Sequence, residues 1–153
     1  MQAEPGLDEN DFPLLRTTDA GYAYRLCEET MRPAVVTLWG RWPEKKVKAE
    51  MMRAVVDGEM QSVLDRGTRV GLVSVLWSET CCEIAQLFIE PKHQGRGLGR
   101  STVDRIIHQA SRRASRPVIA RVLLTNPARA FWEKVGFRVV DTTAEHHLLE
   151  RRT

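Results

Sequence analysis

The chain has 153 residues, of which 42% are hydrophobic and 28% charged. That length can bury one substantial core but hardly two, and no apolar run approaches a membrane span. The net charge of +3 is unevenly spread, because Met1 to Asp11 is acidic whereas Arg96 to Arg121 holds seven arginines.

Residues 1 to 11 read as a loose leader without the basic and apolar regions of a signal peptide, so a cytoplasmic setting is expected. Residues 12 to 153 are then one domain. Phe12 to Thr17 reads as a first strand, followed by Thr18 or Asp19 as a helix cap. Tyr22 to Met31 predicts a helix broken by Pro33, and Val47 to Val56 a second, with Gly40 and Pro43 between them. Trp39, Arg41 and Trp42 cluster at that corner. They either pin the two helices together or form an aromatic, cationic rim for an amine that carries a carboxylate or belongs to a peptide.

From Met60 the pattern changes to strands. Met60 to Asp65 and Val70 to Trp77 flank the turn Arg66-Gly67, and Cys82 to Ile89 follows a polar break at Ser78 to Thr80. Pro91 closes this third run. Next comes Gln94-Gly95-Arg96-Gly97-Leu98-Gly99, and then Val103, Ile106, Ile107, Ala110 and Ala114 at helical spacing. A loop with three glycines between strand and helix bares backbone N–H groups at the positive end of the helix dipole, which predicts a site for an anion such as a pyrophosphate. It lacks the Gly-Lys-Ser/Thr ending of a Walker loop and the spacing of the dinucleotide fingerprint. Val118 to Leu124 is a further apolar run, and Phe137 to Val140 with His146 to Leu149 forms a closing hairpin.

The basic stretch has two readings. A solvated helix face accounts for Arg105, Arg112 and Arg113, while a basic surface beside a phosphate loop also draws a highly anionic ligand. Nucleic acid is the less favoured partner, since aromatic residues are not interleaved with the arginines. Cys27, Cys81 and Cys82 form no Cys-x-x-Cys pair and read as reduced thiols. His146 and His147 would face opposite sides of a strand, so no metal is expected.

At this point the chain resembles the GCN5-related N-acetyltransferases, the GNAT family. Gln94, Gly97 and Gly99 match the family's pyrophosphate pattern, and Asn126 to Phe137, with its Asn, Ala, aromatic and Gly-Phe, is similar to the family's fifth strand and fourth helix. The resemblance implies an acyl-CoA N-acyltransferase α/β fold with a central, mixed, mostly antiparallel sheet flanked by helices. It implies acetyl-CoA as cosubstrate, held by Gln94, Gly95, Arg96, Gly97, Leu98, Gly99 and Arg100 at the pyrophosphate and by Asn126 at the pantetheine arm. Backbone N–H groups at Phe88 and Ile89 would face the thioester carbonyl. The acceptor would be an amine, either a small molecule or a peptide, with no membrane involved and with room for a homodimer.

Glu83 lies eleven residues before Gln94, the distance at which histone-type members carry their catalytic glutamate, so the resemblance implies that it is the base; Glu79 and Glu28 are weaker substitutes. One departure concerns the general acid. The aligned residue is Trp132 where many members have a tyrosine, and Tyr22 or Tyr24 could replace it only if the fold brings one across. Two alternatives therefore stand beside the transferase: an acyl-CoA-binding sensor without turnover, and a basic nucleic-acid-binding domain.

Overall fold

The computed structural model describes residues 16–113 and 116–153. The leader, most of the first predicted strand and Ala114 lie outside them. Two helices come first, α1 (Ala20–Trp39) and α2 (Glu44–Val56), then strands β1 (Met60–Asp65), β2 (Thr68–Trp77) and β3 (Cys82–Ile89). A single 3-10 turn at Pro91–His93 leads to α3 (Leu98–Arg112), followed by β4 (Val118–Leu123), α4 (Arg129–Lys134), β5 (Arg138–Thr142) and β6 (His146–Arg151). The strands form one six-stranded sheet in the order β1-β2-β3-β4-β6-β5. Only β3 and β4 run parallel, so the sheet is mixed and mostly antiparallel, as expected. Ahead of α1, Arg16 makes one antiparallel bridge to Gln61.

Asp19 caps α1, its carboxylate accepting the Tyr22 N–H at 2.9 Å. The helix does not break at Pro33; it continues to Trp39 and ends on Gly40 in the left-handed region at φ 77°. A proline inside a helix removes a hydrogen bond and costs about 3 kcal/mol. Tertiary contacts carry the helix past it: Ala34 and Val35 pack on Leu123, and the Thr125 hydroxyl donates to the Ala34 carbonyl at 2.6 Å. Neither contact is visible from local sequence.

The sheet has a packed core on each face. Val103, Ile106 and Ala110 of α3 meet Ile84, Val118, Trp132 and Leu149 on one side. Ala23 and Leu26 of α1 meet Met51, Ala54, Leu72 and Phe88 on the other. Ile84 and Phe88 are an even number of residues apart and in a regular strand would share a face. A bulge separates them, because Val75 stands opposite Ile84 while its neighbour Ser74 stands opposite Gln86, leaving Ala85 as the extra residue.

The bulge coincides with a second irregularity. β3 and β4 pair only from Cys82 to Ile84 against Val118 to Ala120, and then part. Beyond Ile84, one side of β3 keeps its ladder to β2 while the other faces a gap.

Candidate active site

The direction of each backbone group in β3 follows from two observations. The Glu90 N–H donates to the Val70 carbonyl at 2.8 Å, and a Cβ on Gly71 would collide with the Phe88 carbonyl oxygen. Phe88 and Glu90 thus turn their backbone towards β2. Backbone groups alternate along a strand, so Leu87 and Ile89 turn theirs into the gap. Ile89 therefore turns its N–H into the gap, as does Leu87, whereas Phe88 turns its own towards β2 and buries its side chain against α1 and α2. The alternation with Ile89 was the sequence signal for Leu87.

A cavity of about 680 Å³ lies along this gap. Leu87, Phe88 and Ile89 form one wall, the glycine loop and the start of α3 a second, and Asn126 to Ala128 with α4 a third. Gln94 fastens the loop to the strand, its side-chain amide donating to the Ile89 carbonyl at 3.0 Å. Gly95 and Gly97 have φ of 76° and 82°, with open space where a Cβ would be, so an anion can approach their backbone closely. Gly99 serves another purpose, since a Cβ there would press on the Phe131 ring at 3.2 Å. It lets α3 pack against α4. Gln94, Gly95, Gly97, Leu98, Gly99, Arg100 and Asn126 all line the cavity. Arg96 does not: its guanidinium turns outward to Asp65 at 3.4 Å and to His93 at 3.1 Å.

A second cavity, of about 820 Å³, opens on the α1 and α2 side of the sheet. Glu83 stands in it at the start of β3, and Arg121 of β4 pairs with its Oε1. Trp39, Arg41 and Trp42 form part of its rim. Trp39 and Trp42 differ in their surroundings. Trp42 packs between the helices and donates from Nε1 to the Tyr24 hydroxyl at 2.9 Å, while Trp39 remains 46% exposed. The two cavities share Met31 and Asn126. Asn126 is held there by its own turn, Oδ1 accepting the Ala128 N–H at 2.9 Å, with Nδ2 3.7 Å from Met31 Sδ. Glu28 is engaged elsewhere, by the Tyr24 hydroxyl at 2.7 Å and by Arg32.

The chain has two tyrosines, and neither lines either of these two cavities. The Tyr22 hydroxyl donates to Glu90 Oε2 at 2.6 Å, and burial together with that carboxylate pushes its pKa upward. Trp132 is 6% exposed, edge-on to both Phe131 and Phe137. It fills the core beneath the first cavity.

The cysteines are free thiols. Burial pushes Cys27 and Cys82 up to about 12. An unfolded thiol ionises near pH 8.5, so the folded chain retains protons that the unfolded chain loses; this contribution to stability is complete below about pH 8.5 and declines as pH rises towards 12. A thiol reagent at pH 8 should therefore label Cys81 rapidly in the native protein and reach the other two only on unfolding. Rapid labelling of all three would contradict the burial. His146 lines the second cavity, whereas His147 Nδ1 meets the Thr142 hydroxyl on the neighbouring strand at 3.0 Å. Among the described residues no cluster of three or more His, Cys, Asp or Glu is placed to hold a metal, and no helix is long and apolar enough to cross a membrane.

Comparison with known proteins adds the following. Residues 22–137 match the model of the acetyltransferase (GNAT) family. The fold is similar to that of the PaiA N-acetyltransferase of Thermoplasma acidophilum in complex with coenzyme A, with a TM-score of 0.73 and 15% identity over 92% of this chain and 96% of that one. An acetyltransferase of Thermus thermophilus is 26% identical over 88% of this chain and 91% of its own, with a TM-score of 0.68. A GNAT acetyltransferase of Streptococcus agalactiae gives a TM-score of 0.72 at 11% identity, covering 92% of this chain and 93% of its own. No curated protein matches the sequence significantly.

Proposed function

Because the chain belongs to the GNAT acetyltransferase family, we propose that it moves the acetyl group of acetyl-CoA to a primary amine of a small molecule or peptide in a cytoplasmic setting. Bound acetyl-CoA supplies an acetyl thioester, which the amine attacks directly in a ternary complex. The observation that carries this reading is the meeting of two cavities at Met31 and Asn126, one bordered by a glycine loop and an unpaired strand edge, the other by a carboxylate.

Each part of the chain has a distinct task. Gly95 and Gly97 present backbone donors to the pyrophosphate, with Arg100 and Lys134 adding positive charge to the walls of the same cavity. Leu87 and Ile89 direct N–H groups into the gap, where fixed donors stabilise charge developing on a carbonyl oxygen. Holding both reactants at one junction supplies the orientation that a bimolecular reaction lacks in solution. Glu83 takes the proton from the amine as the C–N bond forms, and breakage of the C–S bond releases CoA as a thiolate that takes its proton from water.

A second reading is favoured by the absence of tyrosine from both cavity walls and by the enclosed position of Trp132. In it the chain binds acyl-CoA as a sensor without turnover. Calorimetric titration with acetyl-CoA, followed by a free-thiol assay over a panel of amines and amino-terminal peptides, separates the two. Binding with thiol release is expected. Binding without release from any amine would favour the sensor, and no binding would remove both.

A further inference from the structure

The floor of the larger cavity contains a polar group that the reaction above leaves unused. Ser74 is 1% exposed, and its hydroxyl has no hydrogen-bond partner. It lines the cavity and stands opposite Gln86, which lines it too. Its neighbours Leu72, Val73 and Val75 belong to an otherwise apolar strand segment. A buried hydroxyl without a partner costs about 1–3 kcal/mol, and alanine or valine would avoid that cost. The bulge at Ala85 bears on the same spot. By adding one residue it keeps Gln86 on the cavity face, in register with Ser74 and next to Leu87, whose N–H faces the gap.

We infer that Ser74 and Gln86 form an acceptor subsite that hydrogen-bonds a neutral amide or hydroxyl group of the substrate, a short distance along the molecule from its reactive amine. The inference rests on the transferase reading in taking this cavity as the acceptor side. A serine hydroxyl and a carboxamide each donate and accept, so together they complement a group that does both. An ammonium or a carboxylate would meet no opposite charge at these two side chains. Substrates of this class are amino-amides, amino alcohols and the amino-terminal residue of a peptide. Simple alkylamines would leave the hydroxyl without a partner, and a site built to hydrogen-bond its substrate discriminates against analogues that lack the group.

The test compares 3-aminopropanamide with n-pentylamine, two amines of similar size, in the wild type and in Ser74→Ala. Binding to the CoA-saturated protein is measured by calorimetry, and thiol release from acetyl-CoA is measured alongside. The wild type should favour the amide, and Ser74→Ala should reduce that preference about fivefold to tenfold, with CoA affinity unaltered and a melting temperature equal to or above that of the wild type. Gln86→Met should reduce the preference in the same direction. An unchanged preference in Ser74→Ala, or a fall in its melting temperature, would overturn the subsite. Thiol release with an unchanged preference would remove the subsite and leave the transferase intact. A reduced preference without thiol release from any amine would support the subsite and remove the transferase. Failure of both amines to bind would remove the subsite.

Discussion

Gly71→Ala is expected to lower the melting temperature by roughly 10 °C and to weaken acetyl-CoA binding in whatever protein remains folded. Gly71 is paired with Ile89, and a Cβ at this position would collide with the carbonyl oxygen of Phe88. The obstacle is backbone, which cannot rotate aside as a flexible side chain does. Overpacking of this kind costs about 3 kcal/mol, and in a chain of this size each kcal/mol corresponds to about 2–4 °C. The displaced atoms belong to the segment from Leu87 to Ile89 that borders the cofactor-side cavity. Stability and cofactor affinity should consequently fall together in thermal denaturation and calorimetry. A variant that melts like the wild type would show that β2 and β3 are less closely apposed than described.

Glu83→Gln should have the opposite signature, with a large effect on rate and little on anything else. A positioned general base contributes about 10²-fold or more, and the rate should fall by at least that factor at neutral pH. A base takes up the proton that the amine loses, so the pH profile of the variant should differ from that of the wild type. Glu83 has a 21% exposed side chain and its partner Arg121 one of 51%. Pairs this accessible contribute about 1 kcal/mol or less, so the melting temperature should barely move. CoA affinity should also persist, because Glu83 lies in the other cavity. Steady-state kinetics across pH, with calorimetry on the same preparation, test both halves. An unaltered pH profile would take Glu83 out of the mechanism.

Motifs with fixed backbone demands were the most legible part of the sequence. The strand from Cys82 to Ile89 lies where the pattern of apolar residues put it, and the loop after it starts at Gln94 as expected but ends at Gly97, with Leu98 and Gly99 already in α3. Properties that depend on distant partners were not legible. Pro33 should stop a helix on local grounds, and contacts with Leu123 and Thr125, some ninety residues away, help hold the next turn in place. Arg96 belongs to the loop by sequence, yet its long side chain is drawn to Asp65 on β1. Which residues near Phe88 turn their N–H into the gap was not legible, because in the two-residue period of a strand a displacement of one reverses which way every backbone group points. Ser74 is silent in sequence because a serine in a strand is unremarkable until its hydroxyl is found buried without a partner.

The short run of pairing between β3 and β4 has a consequence for the cohesion of the whole molecule. The sheet amounts to two three-stranded blades, β1-β2-β3 and β4-β6-β5, joined by three residue pairs at one end. On the proposed function, a ligand arm lying between them and bonding to Leu87 and Ile89 would supply rungs that the polypeptide omits and so act as a seventh, removable strand. Anything that binds the folded state alone stabilises it by mass action. The ligand-free protein would then be the least cohesive form, and the concentration of the ligand would set how firmly the two blades are held together.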